Sequence, residues 1–138
     1  MIIVIMRMKI AVLVSAVLGL CVADSLTTLA VLGSGRGYEA NAAITLFASN
    51  PAFHAAKFLL TALILYGIHR VCKNDEKMEI SSYLTLVIFY SLVVANNVSV
   101  YIAGRGLNFN LPKMIVLFFG TFLAVYALTA HTHPTKTE

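Results

Sequence analysis

Residues 8–32 read MKIAVLVSAVLGLCVADSLTTLAVL. Two charges, Lys9 and Asp24, interrupt an apolar run that exceeds the ~20 residues a bilayer-spanning helix needs. Three further runs of similar character follow, at 52–68, 80–103 and 111–130, and a short polar tail occupies 131–138. None has the broad polar face of a surface helix in a soluble bundle. The segments between them carry the expected breakers. Gly33-Ser34-Gly35-Arg36-Gly37 ends the first run and Asn50-Pro51 precedes the second. Lys73-Asn74-Asp75-Glu76-Lys77 separates the second from the third, and Gly104-Arg105-Gly106 closes the third before Pro112 opens the fourth. The reading is an all-α, polytopic membrane protein: one domain, a bundle of four transmembrane helices.

Composition agrees. Of 138 residues, 59% are hydrophobic and 12% charged, against about 25% charged in soluble domains. Mean hydropathy is +0.86. A soluble chain of this size needs far more polar surface, and a disordered one far less hydrophobicity. The net charge of +4 does not indicate nucleic acid, because the basic residues form no long run and have no aromatic platform among them. Cys21 and Cys72 belong to no metal or disulfide spacing.

Basic residues set the expected orientation. Arg7, Lys9, Arg70, Lys73, Lys77 and Lys136 fall on one side, Arg36, Arg105 and Lys113 on the other, and Lys57 lies within a helix. The positive-inside rule then puts both termini in the cytoplasm, in a multi-pass protein of the cell membrane. A signal peptide is the rival reading of the N-terminus, with Cys21-Val22-Ala23 as cleavage site, but the apolar run continues beyond it. Met1–Met6 reads as a dispensable tag, with translation able to start at Met6 or Met8. Val22-Ala23-Asp24 with Gly35-Arg36-Gly37, and Val94-Ala95-Asn96 with Gly104-Arg105-Gly106, form a faint internal echo.

Asp24 and Lys57 are the informative positions. A charge well inside a membrane helix costs about 2.5 to 3.5 kcal/mol, so such residues face a partner or a wet cavity. At 1.5 Å per residue, Asp24 lies about 12 Å, Lys57 about 8 Å, and Asn96 and Asn97 about 10 Å from the outer ends of their helices. Three helices thus carry polar groups in one layer of the outer half. Thr28 is one turn from Asp24, with Thr27 close, and Thr61 is one turn from Lys57. Tyr83, Tyr90, Asn97 and Tyr101 make one stripe on the third helix. Ser15, Gly19 and Ala23, and Gly120, Ala124 and Ala127, form small-residue seams suited to close helix packing. Interhelical glue and a ligand or ion site both fit the polar layer.

Other residues carry less chemistry. His54 is expected among headgroups at the outer interface. His131 and His133 lack further metal ligands, and no metal site or cofactor motif is read. No GxSxG, HExxH, Walker sequence or double-aspartate transferase motif occurs, and Ser15, Ser25 and Ser91 have no nearby histidine base.

Asp24-x3-Thr28 late in helix 1, Glu39-x-Asn41, Lys57 early in helix 2 and Asn96-Asn97 in helix 3 together resemble the DUF5658 family, from about Ala11 to Leu128. That family comprises small prokaryotic membrane proteins of unknown activity. It usually shows Glu-x-Asn-Pro after helix 1, whereas here Ala42 follows Asn41 and Asn50-Pro51 stands later. The resemblance implies that Asp24 belongs inside an uncleaved helix 1. The expected site is therefore Asp24, Thr28, Lys57, Asn96 and Asn97, with Glu39 and Asn41 at its outer mouth. The expected partners are the lipid bilayer, a second copy of the chain or a larger membrane complex, and a small-molecule or ion ligand. Binding or transport, in an oligomer because four helices are few for a path, stands beside an accessory role. Catalysis ranks below both.

Overall fold

The computed structural model describes residues 2–35, 47–106 and 111–132. They form α1 (Ile2–Gly33), α2 (Pro51–Cys72), α3 (Glu76–Ala103) and α4 (Leu111–Thr132), with no strand among the described residues. Each helix contains a segment long and apolar enough to cross a membrane: Lys9–Gly33, Pro51–Cys72, Glu76–Ala103 and Pro112–Thr129. The fold is the expected all-α, four-helix arrangement.

The helix ends follow local chemistry. Asn50 caps α2, its side chain accepting from the Ala52 amide at 2.9 Å, and Pro51 fills a position where no donor is needed. The helix outruns the apolar run that ends at Ile68 and takes in His69 and Arg70, the arginine a cation that suits the negative end of its dipole. Asp75 caps α3 by accepting from the Met78 amide at 3.0 Å, so Glu76 and Glu79 lie in its first turn rather than in a connector. Gly104 ends α3 in the left-handed conformation, φ 66°, its amide returning to the Val100 carbonyl. α1 begins at Ile2, six residues before the expected start, because nothing in Ile2–Met6 breaks a helix.

α3 is the organising element. α1 packs along it, α2 lies against both α1 and α3, and α4 packs on α3 alone. Cross-helix pairs fix an up-down-up-down register. Asp24 meets Lys57 and Cys21 meets Thr61, so α2 runs opposite to α1. Thr61 meets Tyr90 and His69 meets Glu79, so α3 turns back again. Ser81 meets Thr129 and Phe89 meets Phe118, so α4 is antiparallel to α3.

The inward residues recur at spacings of four and three. On α1 they are Ile10, Val14, Val17, Cys21, Asp24, Thr28 and Val31; on α2, His54, Phe58, Thr61, Leu65, Ile68 and Cys72. Glu79, Tyr83, Leu86, Tyr90, Val93 and Asn97 continue the pattern on α3. A seven-residue repeat keeps near-parallel helices in contact with a left-handed twist. Asp24, Ser25, Thr61, Glu79, Ser81 and Thr85 are all buried, whereas Val71 is 82% and Val116 73% exposed. Polar inside and apolar outside is the arrangement that lipid favours.

Candidate functional site

α1, α2 and α3 each bring one polar side chain to a common point. Asp24 is 6% exposed on the inward face of α1. The Lys57 ammonium of α2 donates to its Oδ2. The Asn97 amide of α3 donates to its Oδ1 at 3.0 Å, and the Thr28 hydroxyl, one turn along α1, donates to Oδ1 at 3.3 Å. The same Asn97 nitrogen reaches the Thr28 hydroxyl at 3.1 Å and the Thr27 hydroxyl at 3.3 Å. Thr27 passes its own proton back to the Ala23 carbonyl at 2.9 Å. A carboxylate is acceptor-only when ionised, and the three donors around it, Lys57, Asn97 and Thr28, match that state.

One turn deeper the seam stays polar. Thr61 donates to the Lys57 carbonyl at 3.0 Å, which leaves its oxygen to accept from Tyr90, also at 3.0 Å. Cys21 lies 3.5 Å from the same hydroxyl, and Ser25 donates to the Cys21 carbonyl at 3.0 Å. Below that, Val17, Leu65 and Tyr83 form a dry core lined by Leu13, Val14, Leu86 and Val87.

The expected site residues thus separate. Asp24, Thr28, Lys57 and Asn97 are brought together. Asn96, its neighbour, points about 100° away around α3, since a helix turns that far per residue. It lies against the turn after α3, where a Cβ added to Gly106 would come within 2.5 Å of its Oδ1. Glu39 and Asn41 lie outside the described residues. The aromatic stripe holds through Tyr83 and Tyr90, while Tyr101 turns outward and is half exposed. His54 is not at an open interface: it is buried, its Nε2 is 2.7 Å from the Ala48 carbonyl, and its ring meets Phe53 edge-on. Neither small-residue seam is used within the chain. Ser15, Gly19, Gly120, Ala124 and Ala127 are exposed, and a Cβ at Gly19 or Gly120 would touch nothing.

A second polar cluster was not anticipated. At the far end of the α2–α3 seam, Glu79 is 4% exposed, 2.8 Å from Nδ1 of His69, and accepts from the Tyr83 hydroxyl at 3.3 Å. Tyr83 also donates to the Leu65 carbonyl at 3.1 Å. The signal for it was the one-turn spacing of Glu79 and Tyr83, hidden because a helix starting at Ile80 leaves Glu79 in a connector. Among the described residues, no group of three or more His, Cys, Asp or Glu side chains could hold a metal ion.

No curated protein and no solved structure matches the chain. A family model does, over residues 15–104: that of a domain of unknown function, DUF5658. The matched region takes in all four side chains of the Asp24 cluster and closes at Gly104, the residue that ends α3. The chain belongs to the DUF5658 family.

Proposed function

We propose that this is a multi-pass protein of the cell membrane that binds a small anionic or zwitterionic solute at the Asp24–Lys57–Asn97 cluster. The observation that carries the reading is one carboxylate, nearly excluded from solvent, taking donors from three helices at once. Lys57 supports the choice of solute. Its side chain keeps a quarter of its exposure, and an ammonium has three donors, of which Asp24 takes one. A carboxylate or phosphate oxygen could use the rest. A bare cation would have to displace Lys57 first.

The orientation belongs to the same proposal. Both termini and the turn between α2 and α3 face the cytoplasm, since six of the nine basic residues other than Lys57 lie at that end of the helices. The cluster is then in the outer half. Cysteines introduced at Ser34 and Asn74, in a chain without Cys21 and Cys72, would be labelled from opposite sides; labelling of both from outside would sink this part. For binding, thermal unfolding of the detergent-solubilised chain is followed against amino acids, phosphate monoesters and simple salts. A saturable rise in Tm with one class, lost in the Asp24→Asn, Lys57→Met double variant, is expected. A rise that survives in that variant would place the ligand elsewhere.

A second reading rests on a different observation. The outward Ser15–Gly19 and Gly120–Ala124–Ala127 seams suit a helix of another chain, and they favour an accessory subunit or a homo-oligomer with the polar cluster as internal glue. Under that reading no solute changes Tm, and Gly19→Ile or Gly120→Ile disperses the assembly without unfolding the protomer.

A further inference from the structure

Glu79 is the second carboxylate buried between the helices, and the solute site above does not use it. Its surroundings differ from those of Asp24 in one respect: among the described residues no lysine or arginine is paired with it. Its partners are His69 Nδ1 at 2.8 Å and the Tyr83 hydroxyl at 3.3 Å, and both are groups that can reverse their hydrogen-bonding role. The His69 side chain is 57% exposed, three residues from the end of α2, while the carboxylate is buried.

Tyr83 has one hydroxyl proton and two acceptors. The Leu65 carbonyl on α2 lies at 3.1 Å and the Glu79 carboxylate on its own helix at 3.3 Å. With Glu79 ionised, the proton goes to the carboxylate, the stronger charge-assisted bond. With Glu79 protonated, the carboxyl O–H can donate to the tyrosine oxygen, and the tyrosine proton turns to Leu65. Every donor has an acceptor in both states, without movement of the backbone.

We infer that Glu79, His69 and Tyr83 form a proton-binding site, in which His69 carries protons between water and the buried carboxylate. The step is a transfer of one proton: the Nδ1–H bond of the His69 imidazolium breaks, an O–H bond forms on Glu79, and imidazolium and carboxylate become imidazole and carboxylic acid. Histidine suits this task because its charge changes within the physiological range. The exchange also alters how α2 and α3 are tied. The ionised state joins them through the His69–Glu79 ion pair, the protonated state through Tyr83 and Leu65.

Among the described residues, α1 adds the apolar Ile10, Leu13, Val14 and Val17 beside the Tyr83 core, with Lys9 exposed at the same end. α2 adds the buried Cys72 thiol, with Arg70 exposed beside it. The start of α3 adds its exposed cap Asp75, the exposed Glu76 and the half-buried Lys77, next to the exposed Lys73. From α4, Thr129 is bonded to Ser81 at 2.7 Å.

The test uses the full chain in lipid vesicles, with glutamate carboxyl carbons and histidine ring nitrogens isotopically labelled for NMR. The Glu79 resonance is assigned by its loss in Glu79→Gln, or in Glu79→Asp should the glutamine variant not fold. On stepping from alkaline to acid pH it is expected to move from the ionised to the protonated position, in concert with the His69 ring. Tyr83→Phe should displace the resonance, and His69→Ala, a change at an exposed side chain, should slow proton exchange at Glu79 by roughly a hundredfold, the lower end of what a positioned acid–base group contributes. A Glu79 resonance fixed in one state throughout, or exchange unchanged in His69→Ala, overturns the inference.

Discussion

At the scale of single residues, the Asp24–Lys57 pair poses the sharpest energetic question. Each side chain alone would be an uncompensated charge at a depth where none is tolerated cheaply, while the two together, with Asn97 and Thr28, give both carboxylate oxygens a donor. Breaking a buried pair by removing one partner costs about 3 kcal/mol or more, whereas removing both can be nearly neutral. Asp24→Asn alone and Lys57→Met alone should therefore each lower the stability of the solubilised chain by about that amount, and the double variant by much less. Additive losses in this cycle would show that the two do not interact. Asn97→Leu removes only a neutral donor, and transmembrane hydrogen bonds average about 0.6 kcal/mol, so its effect should be the smallest of the series. The same reasoning shows what was legible beforehand. Depth and one-turn spacing are properties of sequence, so Asp24, Thr28, Lys57 and Asn97 could be read as one layer. Which of two adjacent asparagines faces α1 depends on the rotation of α3, which only packing sets.

At the scale of elements, the runs located the helices and the caps located their ends. Hydropathy averages over many residues, so it cannot see that Asp75 starts α3 or that α2 continues to Cys72. That shortfall of one turn concealed both His69 and Glu79. The turn after α3 gives an element-scale prediction. Gly104 has φ 66° and open space around it, so Gly104→Ala meets only the left-handed backbone penalty, about 1 kcal/mol. Gly106 has ordinary φ, but a Cβ there would come within 2.5 Å of Asn96 Oδ1 and 2.6 Å of Val100 Cγ2. A β-branched valine on a helix has few rotamers with which to yield. Gly106→Ala should thus be the more damaging change, and Asn96→Ala should relieve part of it. Equal thermal shifts for the two glycine variants would contradict this account.

At the scale of the whole molecule, the four helices are unequal partners. α1, α2 and α3 pack on one another and hold every side chain of both polar clusters, whereas α4 leans on α3 alone, through Phe89–Phe118 and Ser81–Thr129. The part of the chain that carries the family signature is that same three-helix unit. Two parts that share one narrow interface should contribute to stability nearly independently when the perturbed groups are far apart. Asp24 and Lys57 lie on the α1–α2 side, and Asn97 turns its amide to α1, away from α4. A chain ending after Gly106 should therefore still insert as a three-helix unit, with Ser81 and Thr85 newly exposed on the abandoned face of α3. Thr85 keeps its bond to the Ser81 carbonyl, so the main loss there is the Ser81–Thr129 contact and the aromatic packing above it. Lys57→Met should then destabilise the truncated chain as much as the full one, measured by thermal unfolding in the same detergent. A truncated chain with no cooperative transition, or one indifferent to Lys57→Met, would mean that α4 holds the polar cluster together from across α3.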